Sequence, residues 1–408
     1  MARLFISAVG KSSGKTTLTI GLAAAFARRG LDVRCFKKGP DYIDPMWHAA
    51  ASGRACFNLD FNAQTRDEIL ATFGRGAAGG DISLIEGNKG LHDGVDEEGA
   101  DSSAALAKLL RAPVLLVIDA EGMARGVAPL ALGYSAFDRD VTIAGIALNK
   151  VGTPRQEGKL RRALERYTDL PVLGAIARDE ALDLEERHLG LATPAETAHR
   201  DARIDAMAEV VLHNLDLDRV LAIAREAPAL AEPAACAPAP VARDVTVAIA
   251  RDAAFGFYYV DDLEALERAG ARLVFFDALR DARLPPADAL FVGGGFPETH
   301  AEALSANAAL RRDVAAALAG GMPAYAECGG LMYLARSIEW RGRRHPMVGA
   351  VPADVVMGAR PQGRGLVALE ATADAPWPPA SDPRGRARVP AHEFHYARME
   401  NVAPGSRF

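Results

Sequence analysis

The chain alternates short apolar runs with longer segments in which apolar residues recur at helical spacing. In the first half the apolar runs are RLFISAV, DVRCFK, DISLIEG, PVLLVID, IAGIALN and PVLGAI. The second half continues the pattern with VTVAIA, RLVFF, ALFVGGG and MPAYAE. Runs of this kind are typical of strands that are buried on both faces of a parallel sheet. The pattern therefore predicts an α/β fold with two doubly wound domains.

An Ala- and Pro-rich segment, APALAEPAACAPAPVARD, separates the two halves at residues 227–244. It has no hydrophobic period, and its prolines prevent a continuous helix, so we predict an interdomain linker. The predicted domains are then residues 1–226 and 245–408, which suits a chain of 408 residues. The stretch from about 341 to 388 is rich in Arg, Pro and Gly and gives no clear pattern.

The composition excludes several classes of function. The net charge of -6 argues against a broad nucleic-acid or membrane-surface footprint, and no apolar run is long enough for a membrane span. The cysteines lack the spacing of metal ligands, so neither a zinc site nor a disulfide framework is expected. Their scatter favours a reducing, cytoplasmic location. They are Cys35, Cys56, Cys236 and Cys328.

The segment GKSSGKTT follows the first apolar run and opens a helical pattern. Backbone N–H groups at a helix N-terminus favour an anion, and Lys15 adds a positive charge for the β- and γ-phosphates. A plain turn would not need Gly-Lys-Thr-Thr after a strand, so we predict an ATP site. The usual pattern has its first glycine where Val9 stands, so the loop is a variant that Lys11 can supplement. The candidate nucleotide-binding residues of this loop are Gly10, Lys11, Gly14, Lys15, Thr16 and Thr17.

Two segments place charged side chains at strand ends, where parallel α/β folds bind ligands. In FKKGPDYIDP, Asp41 and Asp44 suit Mg²⁺ or substrate, and Lys37 and Lys38 suit an acidic substrate or phosphate. A solvated turn explains this segment equally well when it is taken alone. In SLIEGNKGLHDG, Glu86 stands at a strand tip, where a carboxylate suits Mg²⁺.

The loop after Glu86 also carries Lys89 and His92, and His92 by itself is more typical of a surface or structural residue. Two further strands end in Asp119 and Asn149, and the Asn149 amide suits an adenine edge.

A second site is predicted at YAECGGLMYL, where Cys328 stands between a strand and a helix. A sharp turn there would expose the thiol, and the helix N-terminus would lower the pKa of the thiol. A buried core thiol is the alternative, but the flanking glycines argue against it. Backbone N–H groups of Gly294, Gly295 and Gly329 are candidates for an oxyanion hole.

A thiol nucleophile needs a base, and HEFHY supplies His392 and His395. Glu393 and Glu327 are both candidates for the group that orients the base, and the residues alone do not choose between them.

The phosphate loop, FKKGPDYIDP, GGGFPETHA, AECGGLMYL and HEFHY, in this order, resemble the cobyrinic acid a,c-diamide synthase family. Its members join a dethiobiotin-synthetase-like ATPase domain to a class I, triad-type glutamine amidotransferase domain. The resemblance covers nearly the whole chain. It implies that L-glutamine is hydrolysed at a cysteine and that the ammonia amidates the a and c carboxylates of a tetrapyrrole. Mg-ATP would activate each carboxylate as an acyl phosphate.

The resemblance also implies roles for individual residues. Cys328 matches the nucleophile, His395 the histidine that activates it, and Asn149 a nucleotide-base contact. The positions that match Mg²⁺ ligands are Thr16, Asp41 and Glu86. The candidate substrate contacts are Lys38, Asp41, Tyr42, Asp44, Lys89 and His92. A homodimer is one assembly that the resemblance allows, and a final strand or helix is expected beyond Phe408.

Two departures bear on the substrate. Lys38 replaces a small apolar residue, and Asn88 and Lys89 replace an apolar pair. These strings resemble a branch found with sulfur-oxidation genes and thought to amidate a sirohaem-type macrocycle, so both macrocycles stay open. A partition-type regulatory ATPase is a remote alternative, because such proteins lack the second domain.

Overall fold

The computed structural model describes residues 1–179, 182, 184, 186, 187, 190–230, 241, 242, 244–370 and 388–404. The chain divides into two compact units, Met1–Ala235 and Cys236–Phe408. Most of the predicted linker, residues 227–244, lies outside the described residues, so its conformation stays a prediction. No helix among the described residues is both long enough and apolar enough to cross a membrane.

The first unit is built on a seven-stranded sheet in which all neighbouring strands are parallel. Its strands are β1 (Arg3–Ala8), β2 (Val33–Lys38), β3 (Cys56–Leu59), β4 (Ile82–Glu86), β5 (Val114–Asp119), β6 (Ile143–Val151) and β7 (Val172–Ala177). They are arranged in the order β3-β2-β4-β1-β5-β6-β7. This sheet confirms the predicted parallel α/β fold, and β3 is a strand that the apolar pattern did not reveal.

Helices connect these strands, and a short hairpin of β8 (Glu186–Arg187) and β9 (Gly190–Leu191) follows the sheet. The helices of the first unit are α1 (Lys15–Arg28), α2 (Ile43–Ser52), α3 (Arg66–Ala77), α4 (Ser103–Leu109), α5 (Val127–Phe137), α6 (Pro154–Tyr167), α7 (Arg200–Asn214) and α8 (Leu217–Arg225). Several begin at side chains that accept a backbone N–H, as Thr153 does for α6.

Helix α1 lies almost wholly in the core, and its close packing fixes where the phosphate loop ends. A Cβ on Gly21 would lie 2.5 Å from Val211 Cγ2 and 2.7 Å from the Met207 carbonyl oxygen, so α1 and α7 require glycine there. Strand β1 lies between β4 and β5, and β2 pairs with β4. The carboxyl ends of these strands therefore meet beside the start of α1.

The second unit contains a four-stranded parallel sheet in the order β12-β10-β13-β15. Its strands are β10 (Val245–Ala250), β12 (Ala271–Phe276), β13 (Ala289–Val292) and β15 (Ala324–Ala326), and a pair of β11 (Phe255–Phe257) and β14 (Gly294–Gly295) lies at its edge. The helices are α9 (Val260–Arg268), a 3-10 turn Pro297–His300, α10 (Ala301–Ala306), α11 (Ala308–Ala319) and α12 (Gly329–Leu334). The parallel sheet confirms the predicted second α/β domain.

Additional strands follow α12, and the second, third and fourth of them lie within the stretch of about 341–388 that gave no clear pattern. They are β16 (Ala335–Trp340), β17 (Arg343–Pro346), β18 (Val351–Met357), β19 (Gly363–Glu370), β20 (Arg388–His395) and β21 (Ala397–Glu400). Four form a mixed sheet in the order β17-β16-β18-β21, and β19 pairs with β20 in a separate antiparallel ribbon. Residues 371–387 lie outside the described residues.

Candidate active sites

The phosphate loop of the first unit is held in place by side chains from other strands. Gly14 has a left-handed φ of 90°, and a Cβ there would lie 2.1 Å from Asn149 Nδ2, so only glycine fits. Asn149 Nδ2 donates to the Ser13 carbonyl oxygen at 2.9 Å, and Lys150 Nζ donates to the Ser12 carbonyl oxygen at 2.9 Å. The structure thus brings Asn149 to the loop itself, and its contact with a nucleotide base stays a prediction.

Lys15 is buried at the start of α1, and its Nζ donates to the Gly10 carbonyl oxygen at 3.4 Å. Burial lowers the pKa of Lys15, while the carboxylate of Glu86 opposes that shift. An ammonium held among few water molecules gains more from a phosphate than one in bulk water. Lys11 is exposed, and the structure shows Thr17 half-buried on α1.

A tyrosine forms a hydrogen bond to Val9, the residue that stands where the usual phosphate-loop pattern has its first glycine. Tyr134 Oη on α5 donates to the Val9 carbonyl oxygen at 2.6 Å. His92 packs against the Tyr134 ring with centroids 5.3 Å apart, and against Phe137 at 4.8 Å. These contacts give His92 a packing role, and its contact with substrate stays a prediction.

A buried cluster of opposite charges lies at the carboxyl ends of β2 and β4, where Lys37 and Glu86 are register partners. Lys37 Nζ lies 2.8 Å from Glu86 Oε1 and 2.6 Å from Asp44 Oδ2. Thr16 Oγ1 donates to the same two oxygens at 2.8 and 3.3 Å. Burial opposes the charge on Lys37, but Asp44 and Glu86 outweigh burial and raise the pKa of Lys37 well above its ordinary value.

The pKa values of two carboxylates in the cluster, Glu86 and Asp41, shift in opposite directions. Burial disfavours the charged form of Glu86, yet Lys37 and His48 lower the pKa of Glu86 below its ordinary value. Burial and the neighbouring Asp44 raise the pKa of Asp41 to about 7. Asp41 Oδ1 accepts the backbone N–H groups of Ile43 and Asp44, both at 3.0 Å, so this side chain also caps α2.

The donors in this cluster fit a magnesium ion. Mg²⁺ prefers oxygen ligands and is usually held by one or two carboxylates together with phosphates and water. Thr16, Asp44 and Glu86 offer a hydroxyl and two carboxylates at one place. Among the described residues, no group of three or more His, Cys, Asp or Glu side chains is arranged to hold a metal by itself. The set thus suits a metal that arrives with a nucleotide.

Three of the predicted substrate residues, Lys38, Tyr42 and Lys89, lie at or just after the carboxyl ends of β2 and β4. Lys38 is buried, and burial lowers its pKa despite the carboxylates of Asp101 and Asp60. Lys89 has a left-handed φ of 51° in the loop after β4. Tyr42 immediately precedes α2 as its N-cap residue.

The site also contains His48, which the sequence patterns did not single out. His48 Nε2 lies 2.6 Å from Glu86 Oε2, and both side chains are fully buried. His48 stands four residues after Asp44 on α2, so both face the same side of that helix. The spacing of four residues from Asp44 is the sequence signal that points to this histidine.

In the second unit, Cys328 occupies a strained turn between β15 and α12. Its φ of 47° and ψ of −113° are unusual for a residue with a side chain. A Cβ on Gly330 would lie 2.0 Å from the Val292 carbonyl oxygen, so the turn needs glycine there. The helix is short, because α12 ends at Leu334 and β16 begins at the next residue. Cys328 is exposed, as the nucleophile elbow requires.

Backbone groups of the predicted oxyanion loop surround this cysteine. A Cβ on Gly294 would lie 3.4 Å from Cys328 Cβ, and a Cβ on Gly329 would lie 3.0 Å from Gly295 N. The N–H groups of Gly329 and Gly295 both act to lower the pKa of the Cys328 thiol. The structure therefore brings the three predicted oxyanion glycines, Gly294, Gly295 and Gly329, to the cysteine.

The expectation of a low thiol pKa is wrong for this geometry. Although the residue is exposed, the protein atoms packed around Sγ withdraw it from water and raise the pKa of Cys328 to about 11. The carboxylates of Glu327 and Glu298 add to this shift, and the two N–H groups offset only part of it. A six-residue helix contributes too little to reverse the effect of desolvation.

Among the described residues, the contacts of the predicted base, His395, do not include Cys328. His395 Nδ1 contacts the Ala397 carbonyl oxygen at 2.7 Å, and Nε2 lies 3.8 Å from Glu393 Oε2. Glu327 instead accepts the Tyr325 hydroxyl at 2.9 Å. Of the two carboxylates considered for orienting His395, Glu393 is thus the neighbouring one. The role of His395 toward Cys328 stays a prediction.

Comparison with known protein families matches both units. Residues 5–191 match the CobQ/CobB/MinD/ParA nucleotide binding domain, and residues 246–407 match the CobB/CobQ-like glutamine amidotransferase domain. The chain therefore combines a nucleotide-binding domain with a glutamine amidotransferase domain, and it is a glutamine-dependent amidating ligase.

Full-length relatives narrow the family. A cobyrinate a,c-diamide synthase of Magnetococcus marinus is 47% identical over 100% of this chain and 87% of its own length. Those of Syntrophotalea carbinolica and Methanosarcina barkeri are 42% and 41% identical, over 99% and 87% of this chain and 88% and 78% of their own lengths. The chain belongs to the cobyrinate a,c-diamide synthase family. A chloroplast FtsY structure from Physcomitrella patens is 20% identical to this chain. The match covers 50% of this chain and 65% of that chain, and its TM-score is 0.33.

Proposed function

We propose that this protein uses ATP and L-glutamine to amidate the a and c carboxylates of cobyrinate or hydrogenobyrinate through acyl phosphates. The observation that carries this proposal is the buried cluster of Thr16, Lys37, Asp44 and Glu86 beside a phosphate loop. Relatives that match 87–100% of this chain are named for cobyrinate a,c-diamide synthesis, which supports the corrin substrate.

The chemistry explains why ATP is needed. A carboxylate resists attack by ammonia because hydroxide or oxide is a poor leaving group. In the proposed first step, a substrate carboxylate oxygen attacks the γ-phosphorus of ATP and ADP leaves. Ammonia then attacks the acyl carbon, phosphate leaves, and the nitrogen loses a proton. Lys15 neutralises the phosphate charge that moves during the transfer.

The residues of the cluster divide the remaining work. Thr16, Asp44 and Glu86, with Asp41 beside them, would hold Mg²⁺, which would spread the charge of the triphosphate. Lys37 contacts Asp44 and Glu86, and in this proposal it keeps the two carboxylates together and adds positive charge to the phosphate site. Lys38 and Lys89 add positive charge for further carboxylates of the macrocycle.

Ammonia comes from glutamine at the thiol of Cys328. The sulfur attacks the amide carbon, ammonia leaves, and water hydrolyses the thioester to glutamate. Backbone N–H groups of Gly295 and Gly329 would stabilise the oxyanion, and their proximity to Cys328 supports this role. We assign His395 as the base that takes the thiol proton, on the family resemblance, with Glu393 beside it.

The first test identifies the product. Cobyrinate, hydrogenobyrinate and a sirohaem-type macrocycle are incubated separately with protein, MgATP and glutamine, and the products are weighed by mass spectrometry. We expect two added amides on cobyrinate or hydrogenobyrinate. Amidation of the sirohaem-type macrocycle alone would overturn the corrin assignment. It would instead favour the branch that Lys38 and Lys89 resemble.

The second test separates the two reactions. Cys328→Ser should abolish amidation with glutamine, because the hydroxyl is a weaker nucleophile, and should leave amidation with ammonium chloride near the unaltered rate. Product formation is measured with each nitrogen source. Retained use of glutamine would contradict the assignment of Cys328.

A further inference from the structure

The two carboxylate oxygens of Glu86 have different partners. Oε1 accepts from Thr16 Oγ1 and lies beside Lys37 Nζ, both at 2.8 Å. Oε2 faces His48 Nε2 at 2.6 Å, and neither side chain is exposed at all. Glu86 is therefore held at one oxygen by groups of the phosphate site and at the other by a buried imidazole.

Glu86 Oε2 and His48 Nε2 depend on their contact with each other. Glu86 Oε2 and both ring nitrogens of His48 have no hydrogen bond of standard geometry among the described residues, so the 2.6 Å contact between Oε2 and Nε2 is their closest polar contact there. A buried carboxylate oxygen without a partner is costly, so the imidazole decides whether this orientation of Glu86 is stable. Because His48 is fully buried, it does not reach substrate, and its effect must pass through Glu86.

One turn of α2 carries two side chains that take part in this arrangement. Asp44 and His48 are four residues apart on α2, and α2 is anchored by Trp47 Nε1, which donates to the Ala192 carbonyl oxygen at 2.9 Å. Asp44 meets Lys37 and Thr16 on the Oε1 side, while His48 meets Oε2. The helix therefore sets both the position and the rotation of the Glu86 carboxylate.

We propose that His48 is a positioning residue that contacts Glu86 Oε2 and so fixes the rotation of the carboxylate that would hold the Mg²⁺ of the bound nucleotide. This inference rests on the proposed role of Glu86 as a Mg²⁺ ligand. Groups that orient a metal ligand typically change metal affinity by about 10- to 100-fold when they are removed.

The test measures metal binding without turnover. MgCl₂ is titrated calorimetrically into the full chain saturated with a non-hydrolysable ATP analogue. His48→Leu should weaken Mg²⁺ binding by about tenfold. His48→Gln should stay within about threefold of the unaltered protein, because its amide nitrogen can donate from a position close to Nε2.

Trp47→Phe is the matched control, since it removes a buried hydrogen bond from the same helix without touching Glu86. It should lower the thermal unfolding temperature and leave Mg²⁺ affinity unchanged. If Mg²⁺ affinity is unchanged in His48→Leu, or equally weakened in His48→Gln or Trp47→Phe, the proposal is overturned. If His48→Leu does not fold, a tenfold loss of affinity in His48→Gln overturns it as well.

Glu86→Gln separates this inference from the proposed function. A loss of Mg²⁺ affinity in Glu86→Gln without a loss in His48→Leu overturns only the positioning role. Unchanged affinity in Glu86→Gln would remove Glu86 from the metal site, and the proposed function would lose a ligand together with the inference.

Discussion

The phosphate site and the thiol site are built from different materials. In the first unit, Lys37 and Glu86 form a buried pair that further side chains complete. In the second unit, the backbone N–H groups of Gly329 and Gly295 act on the Cys328 thiol, and the carboxylates of Glu327 and Glu298 oppose its ionisation. The first site therefore favours the charged forms of Lys37 and Glu86, whereas the second opposes the thiolate that it needs.

The two sites therefore differ in how much their side chains must change when a ligand binds. The phosphate site already balances its charges, so a nucleotide meets groups that are fixed in position. The thiol site has a strained nucleophile and an oxyanion loop, but its candidate base, His395, is held by Glu393 and Ala397. We expect activity at the thiol to depend more strongly on pH and on rearrangement.

Lys15→Ala should have the largest effect, because it removes the buried positive charge of the phosphate loop. We expect amidation to fall by about 1,000-fold with either glutamine or ammonium chloride as nitrogen source. Lys11→Ala is the matched control, since Lys11 is exposed in the same loop and should cause a much smaller loss. An unchanged rate with ammonium chloride in Lys15→Ala would remove Lys15 from the phosphate site.

His395→Ala should lower glutamine-dependent amidation by about 100-fold or more, as loss of a general base does. Its ammonia-dependent rate should not change. His392→Ala tests the other histidine of the motif and should keep glutamine use. If His392→Ala alone lost activity with glutamine, the base would have to be reassigned.

Alkylation of Cys328 by iodoacetamide tests the raised thiol pKa. With a pKa of about 11, the thiolate fraction, and so the alkylation rate, should rise by about tenfold per pH unit between pH 7 and 10. Cys328→Ser corrects for the other thiols. A rate that is already level at pH 8 would mean that the free protein holds a thiolate.

Glu327→Gln sharpens that measurement. Removing one carboxylate that opposes the thiolate should raise the alkylation rate at fixed pH by about threefold, because desolvation remains the larger cause. A slower rate in this variant would show that Glu327 assists the thiol instead.

Asn149→Ala should have the smallest effect. It removes one hydrogen bond to the phosphate loop, at the Ser13 carbonyl, so we expect the KM for ATP to rise by about fivefold with kcat little changed. Asn149→Asp keeps the shape but loses the donor and adds a negative charge, and it should be worse than Asn149→Ala. Equal KM values in all three proteins would exclude a role in nucleotide binding.

The amino-acid pattern was sufficient to predict the parallel α/β fold of both units and the positions of the phosphate and cysteine loops. Short continuous apolar runs between turn residues are typical of strands buried on both faces, and Gly14 next to Lys15 marks the turn between strand and helix. Strand β3 and the strands after Ala335 were missed, because short or half-exposed strands carry no continuous apolar run.

Tertiary structure decided which side chains meet and what charge they carry. Lys37 and Glu86 are far apart in the chain and become neighbours only because β2 pairs with β4 in that register. His48 gained its contact with Glu86 from the packing of α2. The thiol pKa was misjudged for the same reason: desolvation depends on all the atoms packed around a group, and no local motif contains them.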